Sequence, residues 1–125
     1  MILDMHAHSI KSDDGRAKVE NYCQWIKAKD IAIDGFVLTE HRQYDDESDY
    51  SDLAEANGIT IFKGSEVETE YGHVLVFGVT PALQEEFDFS NINLNSNTSL
   101  KQAINTMQSL FPAIQVDREW EWQRI

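Results

Sequence analysis

GFVLTEH, residues 35–41, is the stretch on which the reading of the fold turns. Its first five residues form a continuous apolar run, the pattern of a strand buried on both faces. Upstream, AKVENYCQWIKAK (17–29) sets Val19, Tyr22, Cys23 and Ile26 at i, i+3, i+4 and i+7, which predicts an amphipathic helix. Before that helix, residues 2–6 read as a short strand, and KSDDG (11–15) reads as a polar turn or loop. Downstream, HRQYDDESD is a solvated loop, and YSDLAEANG is a short helix stopped by Gly58. ITIFKGSEVET (59–69) and HVLVFGV (73–79) read as strands, with a hairpin between them across a tight turn. Residues 80–97 read as irregular. TSLKQAINTMQSLF (98–111) then places Leu100, Ala103, Ile104, Met107 and Leu110 on one face of a second long helix, capped by Thr98 or Ser99. The order β-α-β-α-β-β-α predicts an α/β layer or part of a barrel.

In such architectures functional groups collect at the carboxyl ends of the strands, and this sequence loads those positions. LDMHAHS (3–9) sends His6 and His8 to one face of the first strand, since residues i and i+2 share a face. Asp4 precedes them, and Asp13 and Asp14 follow in the loop. The second strand ends in Glu40 and His41, the third carries Glu66, and His73 opens the fourth. All four histidines of the chain therefore fall at strand termini with acids beside them. Each residue also has an ordinary reading. An HxH pair is weak evidence for metal on its own. Asp13 and Asp14 before Gly15 suit turn capping. Glu40 and His41 suit a solvated strand end. Glu66 suits a surface strand, because Glu68 and Glu70 follow it in alternation, and His73 suits a half-buried, hydrogen-bonded position. Cys23 lies on the apolar helix face and is read as core.

The bulk composition narrows the classes. At 125 residues the chain is expected to form one domain. It carries 22 acidic against 10 basic residues, a formal charge of −12, which disfavours binding to a nucleic-acid backbone. Such acidity is compatible with divalent cations. No window is apolar enough to span a bilayer, and LDMHAH interrupts any signal-peptide core. One cysteine allows no internal disulfide and fits a reducing cytoplasm, so a cytoplasmic protein is expected.

The succession DMHAHS, SDDG, TEH, GSEVE and GHVLVFG resembles the PHP (polymerase and histidinol phosphatase) family over roughly residues 2–79. The resemblance implies an α/β fold, here a partial PHP-type distorted (βα)7 barrel made of the N-terminal βα units only. It also implies metal-dependent hydrolysis of a small phosphate ester through metal-activated water. By position, His6 and His8 match the family's first ligand pair. Asp14, or else Asp13, matches a variable loop ligand, and His41 matches the histidine of TDH, with Glu40 where the family more often has Asp. Glu66 matches the carboxylate that bridges two metals, and His73 matches the ligand after it. Asp4 and Glu40 are expected in outer-shell roles, Asp4 holding an imidazole by hydrogen bond. Two or three divalent ions are implied, and mixed imidazole and carboxylate ligation suits Zn, Mn or Fe. Arg42, and Arg16 or Lys11, are candidates for meeting the substrate phosphate.

The family pattern continues with a histidine in an HP-type motif and an Asp-x-His pair, and no histidine follows His73 here. The sequence is therefore expected to hold an incomplete PHP-like domain over residues 1–111 and a tail of unclear origin over 112–125. Truncation is the favoured account. The others are a compact variant completing its sheet as a homodimer through an unfinished edge, and a module acting beside another chain. Two further readings compete with the phosphoesterase: an inactive remnant that binds metal or a partner without turnover, and a small acidic interaction protein whose histidines are incidental.

Overall fold

A computed structural model describes residues 1–69, 72–86 and 89 of the chain. Four strands, β1 (Leu3–Ala7), β2 (Gly35–His41), β3 (Thr60–Thr69) and β4 (Gly72–Val76), form one sheet in the order β1-β2-β3-β4. Helices α1 (Val19–Ala28) and α2 (Ser51–Asn57) connect the first three strands, which run parallel, and β4 returns antiparallel to β3. The result is the mixed α/β fold expected, a curled sheet amounting to part of a barrel. One element differs from the sequence reading. Residues Pro81–Glu86, taken there as irregular, form a short helix, α3. Proline supplies its first position, where the absent N–H has no intrahelical partner to lose. The helix expected over 98–111 and the tail after it lie outside the described residues.

The apolar pattern explains the layers. Phe36 and Leu38 of β2 pack against Val19 and Cys23 of α1, all four buried, with Ala7, Tyr22, Ile26, Leu53 and Ile61 closing around them. Burying a side chain such as Phe36 contributes about 1.5–3 kcal/mol. Cys23 is thus core, as its place on the helix face required. A smaller cluster of Val67, Val76 and Phe89 covers the β3–β4 end of the sheet. Gly58 adopts the left-handed conformation (φ 62°) and ends α2, and the N–H groups of Gly58 and Ile59 bond back to the carbonyls of Glu55 and Ala54. No helix among the described residues is long and apolar enough to cross a membrane.

The loops after β1 and β2 are tied together away from the histidines. Lys11 Nζ donates to Asp45 Oδ2 (2.7 Å) and to Ser48 Oγ (2.6 Å), and Gln43 donates to the Lys11 carbonyl (2.7 Å). Burial pushes the Asp45 carboxyl up, but the hydrogen bonds from Lys11 and Ser48 outweigh it and bring it down to about 2. A depressed carboxyl stabilises the fold above its unfolded value and loses that contribution as pH falls through the folded one. Asp45→Asn is therefore expected to cost about 1–2 kcal/mol at neutral pH. The gap from wild type should close between pH 4 and 2, as urea melts across that range will report.

Candidate metal centre

Strand register builds the centre. His41 at the end of β2 lies directly beside Glu66 on β3, and Glu68 lies beside His73 on β4. Alternation along β3 puts Glu66 and Glu68 on one face. On β1 the pairing passes from Asp4↔Phe36 to Ala7↔Leu38, one extra residue on β1, which is a bulge. Bulges re-aim side chains, and this one sits where His6 and His8 turn toward Glu66.

Glu66 is the hub. Its side chain is 7% exposed, and its Oε2 lies 2.7 Å from His8 Nε2, 3.0 Å from His6 Nε2 and 3.4 Å from His41 Nδ1. Its other oxygen, Oε1, lies 3.1 Å from His73 Nδ1. The Nε2 atoms of His6 and His8 are 3.1 Å apart, so both cannot carry protons at once. Burial pushes the Glu66 carboxyl up, but hydrogen bonds from His6 and His73 and the charge of His41 hold it below its usual value. Asp14 joins two of the rings: its Oδ1 is 3.1 Å from His8 Nδ1 and its Oδ2 is 2.8 Å from His41 Nε2. The hydrogen bond from His41 holds the Asp14 carboxyl low, against a smaller opposing push from burial, with His8 assisting.

These donors fit a divalent ion. Three groups, His6/His8/Glu66, His8/Asp14/His41 and His41/Glu66/His73, each bring three ligand atoms within 4.8 Å of one another. The Nδ1 atom of His41 is buried and has no hydrogen-bond partner, the condition of a lone pair awaiting a cation. Imidazole and carboxylate together suit transition metals. An open groove of about 910 Å³ elsewhere, lined by Leu3, Met5, Val37, Phe62 and Phe77 among others, holds none of the histidines. A family model described as PHP domain matches residues 4–120.

The chain belongs to the PHP domain family. The match runs well past residues 2–79, where the motifs lie. No curated protein and no solved structure matches the chain.

The other residues singled out from the sequence take distinct places in this PHP domain. Of the two loop aspartates, Asp14 meets the histidines, whereas Asp13 Oδ2 pairs with Arg42 Nη2 at 2.6 Å. Arg42 stands in the left-handed region (φ 55°), and its backbone N–H donates to the Glu66 carbonyl (2.9 Å). Its guanidinium spans Asp13 and Glu68 at the edge of the histidine cluster. Lys11 is engaged by Asp45, and Arg16 is exposed. Asp4 accepts the backbone N–H of His6 (3.0 Å) and meets no imidazole.

Glu40 does not touch the histidines either. It is buried, 2% exposed, and accepts the N–H (2.6 Å) and the hydroxyl (2.7 Å) of Ser9. That fixes the residue after His8, whose own carbonyl accepts the Tyr22 hydroxyl. Ser12 Oγ in turn accepts the N–H of His41 (2.9 Å). The loop carrying Asp14 curls so tightly that a Cβ at Gly15 would stand 1.8 Å from the Ser9 carbonyl oxygen, so only glycine fits. Ser9, Ser12 and Tyr22 were not read as functional. Glu68 was read as surface, yet its Oε1 lies 3.8 Å from His73 Nε2 and 3.9 Å from His41 Nδ1. The i, i+2 spacing from Glu66 was the signal that places it on this face.

Proposed function

We propose that this PHP domain is a metal-dependent phosphoesterase acting on a small phosphate ester. The observation that carries the reading is that the two oxygens of one buried carboxylate, Glu66, face different imidazoles: Oε2 faces His6 and His8, and Oε1 faces His73. His6, His8 and Glu66 would hold one divalent ion, and His41, Glu66 and His73 a second; Zn, Mn and Fe all suit such donors. Ions held there supply Lewis acidity toward phosphoryl oxygens and lower the pKa of water. The protein's part is to position and to admit. His41 and Glu66 form a buried floor, while His6 and His73, about half exposed at 48% and 52%, leave the centre open to an incoming ester. Arg42 offers a planar fork that matches phosphate oxygens bidentately, and exchanging its exposed partner Asp13 for substrate keeps its charge paired. The net charge of −12 favours a small, compact ester over a polyanionic nucleic acid.

The test is hydrolysis of an aryl phosphate by the full chain, with and without Mn2+ or Zn2+, beside His8→Ala. Metal-stimulated turnover that disappears in His8→Ala is the expected result. A chain that retains metal but turns over nothing under either ion would be a metal-holding PHP domain without hydrolysis.

A further inference from the structure

We propose that Arg42 and Asp13 make the site selective for phosphate monoesters over diesters: the Asp13 carboxylate stands in for a terminal oxygen of a dianionic phosphate and gives way to it. This rests on the metal-centre reading above and names the class of ester that the centre takes.

The guanidinium is presented by a backbone that a long side chain seldom adopts. Arg42 follows His41 directly and sits at φ 55°, in the left-handed region. Its N–H donates to the Glu66 carbonyl (2.9 Å), which ties the turn to the strand carrying Glu66 and Glu68. Backbone strain of this kind persists only where the surroundings fix it, and it clusters at working sites. Here it brings the side chain back beside the histidines. Nη1 donates to Glu68 Oε1, the oxygen that lies 3.8 Å from His73 Nε2 and 3.9 Å from His41 Nδ1. One carboxylate oxygen therefore separates the guanidinium from two imidazoles of the cluster.

The two carboxylates on Arg42 are not equivalent. The Glu68 side chain is 19% exposed and belongs to β3, whereas Asp13 is 65% exposed in the loop after β1 and pairs with Nη2 at 2.6 Å. Glu68 is the fixed arm. Asp13 is the exchangeable one, since an exposed ion pair contributes little and its carboxylate goes readily to water. A phosphate oxygen in its place makes a charge-assisted bond of the same kind. A monoester is dianionic above its second pKa of about 6 and offers three terminal oxygens, whereas a diester is monoanionic and offers two. Glu66 turns one oxygen to His6 and His8 and the other to His73, so the proposed centre engages two terminal oxygens of the ester. Only a monoester then keeps a third for Arg42. A diester leaves Arg42 on Asp13.

Calorimetric titration of the Zn2+-loaded full chain in alkaline buffer reads this without turnover. The ligands are phenylphosphonate, a dianion with three terminal oxygens, and its methyl ester, a monoanion with two. Wild type should bind phenylphosphonate about 10–100-fold more tightly than the methyl ester. Arg42→Gln should erase most of that ratio by weakening phenylphosphonate alone, with the Zn2+ content unchanged. Asp13→Asn removes the competitor and should tighten phenylphosphonate about 2–5-fold while leaving the methyl ester as it was. Equal affinity for the two ligands in Zn2+-loaded wild type, a ratio that survives Arg42→Gln, or weaker phenylphosphonate binding in Asp13→Asn would overturn the selectivity and leave the metal centre standing. A wild-type chain that takes up no Zn2+ overturns the metal-centre reading itself, and this proposal with it. Should Arg42→Gln fail to fold, the wild-type ratio and the exposed Asp13→Asn change decide.

Discussion

Glu66→Gln is expected to abolish the proposed metal binding and turnover while leaving the sheet folded. The substitution keeps the size of a side chain only 7% exposed but replaces one oxygen with an NH2 group facing imidazole nitrogens. Both donor groups that contain Glu66 lose an anionic ligand at once. The affinity loss should exceed the roughly 10–100-fold that removal of an outer-shell partner costs. Elemental analysis after dialysis, beside a thermal melt, measures both parts. The acid dependence of the metal-free chain should change as well. The Glu66 carboxyl is held below its usual 4.5 by its histidine neighbours, so its ionised form stabilises the fold above that value. That contribution is lost as pH falls through the lower folded value, and Glu66→Gln should lack it.

Glu40→Ala should destabilise the fold strongly from outside the donor cluster. It leaves the Ser9 N–H and hydroxyl, both in a residue 2% exposed, without an acceptor. A buried donor left unpaired costs about 1–3 kcal/mol, so the pair amounts to roughly 2–6 kcal/mol out of the 5–15 kcal/mol typical of a domain. The damage also reaches the metal centre, because Ser9 follows His8 directly. Urea melts and Zn2+ affinity should therefore fall together. A variant within about 0.5 kcal/mol of wild type would contradict the role given to Glu40.

What the sequence made legible was local. Alternation put His6 with His8 and Glu66 with Glu68, the 3.6-residue period put Cys23 in the core, and Gly58 marked a helix end. Their places at predicted strand ends, or in the loop after one, singled out Asp14, His41, Glu66 and His73, and the family resemblance gave them ligand roles. What stayed hidden depends on register between distant segments. The Ser9–Glu40 pair joins residues 31 apart, and its partnership exists only once β1 and β2 align. The left-handed turn at Arg42 carries no glycine to announce it, and the bulge in β1 shows only in the pairing. The short helix at Pro81–Glu86 falls in a stretch that reads as irregular, although proline at the first position of a helix is compatible with its geometry.

Anomalous scattering from crystals of the full chain grown with Mn2+ or Zn2+ tests the central claim most directly. Two peaks flanking the Glu66 carboxylate, one within reach of His6 and His8 and the other of His41 and His73, are the expected result. A map with no peak among the four histidines, at metal concentrations that saturate ordinary imidazole–carboxylate sites, would contradict it.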